Sequence, residues 1–168
     1  GGFFGFWYCT TDGSIESGSG YGREFVSQPL TPEWLIKEIK RLPSKINTEW
    51  YTNSSCGIHI HVSRDWFTNK KAKEVWEFLK TLWDKCPELY EAAFGRGPNE
   101  YCRAAGSLGR TKYQAINTLN SATIEFRMFA SGDVEWAVTC VKTAKYLVDH
   151  AHHLNIEAFS AFVESRNC

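Results

Sequence analysis

Two segments, Cys56-Gly57-Ile58-His59-Ile60-His61-Val62 and Ala122-Thr123-Ile124-Glu125-Phe126-Arg127-Met128, alternate polar and apolar residues strictly. That period belongs to a β-strand, whose successive side chains leave on opposite faces. His59 and His61 therefore share one face, opposite Ile58, Ile60 and Val62. Glu125 and Arg127 share a face opposite Ile124, Phe126 and Met128. A solvated strand face more commonly carries Thr, Lys, Ser or Gln. Two imidazoles on one strand, with a carboxylate beside a guanidinium on another, predict a site built on a sheet.

The other segments predict what surrounds that sheet. Phe3 to Thr10 reads as a strand, Thr11 to Ser14 as a turn, and Arg23 to Gln28 as the returning strand, with Glu24 and Val26 on one face. Thr31-Pro32 is a helix start, with Pro43 as the stop. Asn69 to Lys85 is an amphipathic helix through Val75, Phe78, Leu79, Leu82 and Trp83. A shorter helix over 88–94 follows Pro87. Residues 95–110 form a polar, glycine-rich loop. Tyr113 to Asn117 and Thr123 to Phe129 are strands about a turn at Asn120-Ser121. Asp133 caps a long helix, and a last helix covers about 155–164. The sum is an α+β fold, a mostly antiparallel sheet with helices packed on one face, in a single domain spanning the chain. Glu24, His59, His61, Glu125 and Arg127 are expected to converge on its open face.

Composition narrows the partners. Lys and Arg together number 19 and Asp and Glu 19, so the basic footprint of a nucleic-acid binder is missing. No apolar run approaches membrane-spanning length and no secretory signal pattern is visible, so no membrane partner is expected. Six cysteines (Cys9, Cys56, Cys86, Cys102, Cys140 and Cys168) are scattered without a C-x-x-C pair, which predicts reduced thiols and a cytoplasmic setting.

Four segments carry a family likeness: Asp12-Gly13-Ser14-Ile15, Gly22-Arg23-Glu24-Phe25-Val26-Ser27, the His-x-His strand, and Thr123-Ile124-Glu125-Phe126-Arg127. In order and rough spacing they resemble the amidoligase family, among the carboxylate–amine ligases that include glutamine synthetase and γ-glutamylcysteine ligase. The resemblance implies a glutamine synthetase catalytic-domain-like fold. It also implies an enzyme that uses ATP and Mg2+ to convert a carboxylate to an acyl phosphate, which an amine then displaces. It places His59 and Glu125 on a metal and His61 on the nucleotide phosphates. Arg127 falls on phosphate or substrate carboxylate. Glu24 and Asp12 would serve a second metal or the incoming amine. Arg103, Arg110 and Asn117 become substrate or phosphate contacts. The substrate is a small amino acid, a peptide or a protein terminus, and a homo-oligomer or larger assembly is in keeping with such ligases.

Family members usually begin with a Glu-x-Glu strand that this chain, opening at Gly1-Gly2, does not carry. The expectation is a piece of a longer protein or a relative with weakened metal binding. The alternative is a non-catalytic module that binds a peptide or serves a larger assembly. Other signals have plainer readings. Gly18 to Gly22 is a hairpin tip or a phosphate cradle. Residues 95–97 and 106–109 are a lid or an ordinary loop. His150 and His153 are a transition-metal pair or imidazoles near a helix C-terminus. Cys56 beside the His strand as a nucleophile, and a zinc hydrolase on His59 and His61, lack an oxyanion donor and a third ligand respectively.

Overall fold

The structure, a computed structural model, describes residues 3–13, 15, 22–45 and 52–166. It is an α+β protein with two compact units, Gly1–Cys56 with Ser131–Val138 and Gly57–Ala130 with Thr139–Cys168. Among the described residues the strands form two three-stranded antiparallel sheets, where one sheet was expected. Alternation reveals which face a side chain takes but not which strand is its neighbour.

In the first unit the predicted opening strand is split. Gly5, with φ 65°, turns the chain between β1 (Phe3–Phe4) and β2 (Trp7–Thr11), a conformation glycine adopts without a steric cost. β3 (Arg23–Ser27) pairs with β2, setting Glu24 opposite Thr10. The Asp12 amide donates to the Gly22 carbonyl at 3.0 Å. A β-carbon on Gly22 would stand 2.4 Å from Ile15 Cβ and 2.6 Å from the Asp12 carbonyl oxygen, so only glycine fits. Gly18 and Gly20 lie outside the described residues. α1 (Pro32–Lys45) starts where Thr31 Oγ1 accepts the Trp34 amide at 3.4 Å. It runs past the expected stop: Pro43 removes one amide donor without ending the last turn.

The second unit is built on β4 (Gly57–Ser63), β5 (Ile116–Asn117) and β6 (Thr123–Ala130), in the order β4-β6-β5. β5 is shorter than predicted, because the residues before it are occupied by an isolated bridge between Arg103 and Gln114. α2 (Asn69–Lys85) keeps its predicted bounds, with Thr68 Oγ1 accepting the Lys71 amide. α3 (Pro87–Phe94) ends at Gly95, whose φ of 80° is the left-handed cap that glycine favours. α4 (Val134–Asp149) is capped by Asp133 Oδ1, which accepts the Trp136 amide at 2.8 Å. α5 (Ile156–Ser165) is capped by Asn155.

The apolar sides of β4 and β6 supply this unit's core, as the alternation requires. Phe126 stacks on Phe67 at 4.9 Å, Phe129 meets Phe94 edge-on at 5.6 Å, and Phe78 meets Phe159 at 5.3 Å. Arg166, just past α5, donates to the carbonyls of Ala92 and Ala93 at 2.9 and 2.7 Å. It thereby satisfies carbonyls that the end of α3 leaves open. The five described cysteines are free thiols. Among the described residues no helix is long and apolar enough to cross a membrane.

Candidate functional site

One register irregularity shapes the polar face of the second sheet. Ile60 lies opposite Phe126, but Ile58 lies opposite Phe129. β6 therefore carries one extra residue at Arg127-Met128, facing His59. Such bulges bend a strand and re-aim its side chains. Here the bulge also lets Met128 and Phe129, adjacent in sequence, both be buried.

Four side chains meet at Glu125, which is 5% exposed. His59 Nδ1 and Arg127 Nη1 each lie 3.1 Å from Glu125 Oε1, and His61 Nε2 lies 3.6 Å from it. Asn117 Nδ2 donates to Glu125 Oε2 at 2.8 Å. Burial by itself would raise the carboxyl of Glu125. Hydrogen bonds from His59 and Asn117, with the charges of His59 and Arg127, outweigh it and lower the pKa from 4.5 to about 2. Glu125 is thus ionised throughout the physiological range.

The neighbours are themselves held. Arg127 Nε donates to the Tyr101 carbonyl at 3.3 Å, and the guanidinium carbon sits 5.9 Å from the centre of the Tyr113 ring. His61 Nδ1 lies 2.8 Å from Thr123 Oγ1. Asn117 Oδ1 accepts the Leu119 amide at 3.0 Å. The imidazoles are the accessible part of the cluster: His59 is 27% and His61 49% exposed.

His59, His61, Glu125, Arg127 and Asn117 therefore come together. Asn117, expected on substrate or phosphate, spends its amide on Glu125 and on the 117–119 turn. Arg103 and Arg110 are exposed on the 95–110 loop. Their backbones are engaged, Arg103 with Tyr113 and Ala115, and Arg110 with Gln114 Oε1. Glu24 and Asp12 are half-buried at β3 and at the end of β2, in the first unit and in the other sheet. Glu24 thus belongs to the sheet of the first unit, and His59, His61, Glu125 and Arg127 to the sheet of the second.

Three residues were not found by sequence reasoning. Arg96 reaches the Arg127 and Met128 carbonyls of the bulge at 3.1 and 3.3 Å. Buried Gln114 ties the 106–110 loop, accepting the Gly109 amide and donating to the Ser107 carbonyl. Glu38 is buried on α1, with Arg41 Nη1 3.2 Å from its Oε1. The Gly95-Arg96-Gly97 punctuation marked a loop, but nothing in it signals a target some thirty positions later. Just past the end of α4, the His150 ring packs on Tyr146 at 4.2 Å and His152 bonds Glu74. The Cys56 thiol contacts Asn53 Oδ1 at 3.8 Å.

Among the described residues no three His, Cys, Asp or Glu side chains are grouped to hold a metal ion. His59 and Glu125 nonetheless offer two donors. Adjacent ligands of an ion with bonds of about 2.1 Å at right angles stand about 3 Å apart, close to the 3.1 Å between His59 Nδ1 and Glu125 Oε1. In this structure that contact is a hydrogen bond from the imidazole to the carboxylate, and an ion there would have to replace its proton. The pair does not make a closed protein cage. The chain matches no family model, no curated protein and no solved structure.

Proposed function

We propose that this chain carries the centre of an ATP- and Mg2+-dependent carboxylate–amine ligase of the amidoligase kind, in a glutamine synthetase-like catalytic fold. The observation that carries the reading is the meeting of His59, His61 and Arg127 at an ionised, nearly buried Glu125. These residues come from the two strands that bear the family-like motifs. When bound, ATP supplies the phosphoryl group that activates the carboxylate, and magnesium offsets its charge. His59 and Glu125 hold the ion. His61, half exposed beside them, donates to phosphate oxygens. Arg127 gives Nη1 to Glu125 and Nε to the Tyr101 carbonyl and keeps Nη2 for an oxyanion, whether phosphate or substrate carboxylate. Asn117 keeps the Glu125 carboxylate oriented. Glu24 and Asp12 are assigned to the incoming amine or a second metal on the family likeness alone. The carboxylate substrate is a small amino acid, a peptide or a protein terminus.

One observation favours a second reading, a non-catalytic module that binds a peptide. Glu125 already has protein donors on both oxygens, so a cation at Oε1 has to displace one of them. Calorimetric titration with a non-hydrolysable ATP analogue separates the two. The ligase reading expects binding that needs magnesium and is lost in both His59→Ala and Glu125→Ala. Binding retained in both variants would sink the site assignment, and no binding by the wild type favours the module.

A further inference from the structure

A bulge leaves part of its ladder unpaired, and backbone carbonyls that lose strand partners need other donors. In β6 the carbonyls at the bulge belong to Arg127 and Met128, and both are met by one side chain. Arg96 Nη2 donates to the Arg127 carbonyl at 3.1 Å and Arg96 Nε to that of Met128 at 3.3 Å. The planar guanidinium spans two successive carbonyls, which a lysine ammonium does not reproduce.

Room for this contact comes from Gly57, at the start of β4 and opposite Ala130. A β-carbon there would lie 2.8 Å from Arg96 Nη2 and 3.1 Å from the Phe129 carbonyl oxygen. The glycine before the His-x-His segment is thus the floor on which the Arg96 fork rests. Arg96 follows the Gly95 cap of α3 directly, so its backbone is anchored by that helix.

We propose that Arg96 is a positioning residue for the Glu125 centre: by bonding the two bulge carbonyls it fixes the course of β6 that brings Arg127 and Glu125 to His59. The inference rests on Glu125 being the centre of the proposed site. It does not depend on which ligand that site takes. Arg96 acts through the backbone carbonyls of Arg127 and Met128.

The test uses nitrogen-15-labelled protein without nucleotide or metal, and reads the ring N–H of His59 by NMR. In the wild type, His59 donates from Nδ1 to Glu125, so a slowly exchanging Nδ1–H resonance is expected, assigned by its absence in His59→Ala. In Arg96→Met that resonance is lost to solvent exchange while far-ultraviolet circular dichroism is unchanged. Gly57→Ala, which keeps the guanidinium but pushes it off its seat, gives the same loss. Arg64→Met removes an arginine that bonds the Thr118 and Asn120 carbonyls away from the bulge, and keeps the resonance. Retention of the His59 signal in folded Arg96→Met or folded Gly57→Ala overturns the proposal. So does failure of both variants to fold, which reduces Arg96 to a structural role. Lack of nucleotide binding by the wild type leaves this readout intact, so failure of the ligase reading is distinguishable.

Discussion

At Glu125 burial and hydrogen bonding act in opposite directions on one carboxyl, and the hydrogen bonds win. Its pKa is lowered from 4.5 to about 2, so the folded state binds this proton less readily than the unfolded state. The sign follows: its contribution to stability is complete above the unfolded value and is lost as pH falls through the folded one. Urea midpoints measured from pH 5 to pH 2 should fall more steeply in the wild type than in Glu125→Gln. The difference should be confined to the window from 4.5 down to about 2; parallel profiles would show that Glu125 is not held this way. Asn117 is the other half of this arrangement. Asn117→Ala leaves Glu125 Oε2 without its 2.8 Å donor, and a buried acceptor without a partner costs about 1–3 kcal/mol. A loss under about 0.5 kcal/mol in urea unfolding would mean that water replaces the amide at little cost. Asn117 was expected to touch a ligand. Its type and place on a strand were readable, but the carboxylate it serves lies on a neighbouring strand, and local sequence does not record that pairing.

Elements are where sequence reading succeeds or fails for identifiable reasons. α2 could be bounded at Asn69 and Lys85 because its apolar period is unbroken and Pro87 follows it. The faces of β4 and β6 were equally plain from alternation. The bulge was not, since one extra residue leaves the pattern intact as far as Met128 and shows only as Phe129 joining the core. The division into two sheets was not legible either, because a strand's period is the same whichever neighbour it has. α3 is held by its aromatic contacts: Phe94 is fully buried against Tyr90 at 4.7 Å and Phe129 at 5.6 Å. Phe94→Ala should therefore destabilise the protein by about 3–5 kcal/mol, read from chemical unfolding. A cost below about 1 kcal/mol would mean that the neighbouring rings close the cavity.

On the scale of the whole molecule, the proposed site should couple ligand to stability only when both parts of the ligand are present. Two protein donors hold magnesium poorly by themselves, so the ion alone should leave the melting temperature where it was. Nucleotide with magnesium should raise it, by an amount equivalent to about 2.7 kcal/mol when ligand stands about a hundredfold above its Kd. Chelation of the metal should abolish the rise. A shift with magnesium alone would point to a more complete metal site than His59 and Glu125 make. Arg166 adds a consequence of a different kind. The carbonyls it bonds at the end of α3 lie 74 and 73 positions earlier in the chain. During synthesis those two carbonyls leave the ribosome well before the guanidinium that satisfies them. The last turn of α3 therefore gains these two bonds only after translation has passed α5, and a chain arrested short of residue 166 should be cleaved at that turn more readily than the chain that carries Arg166.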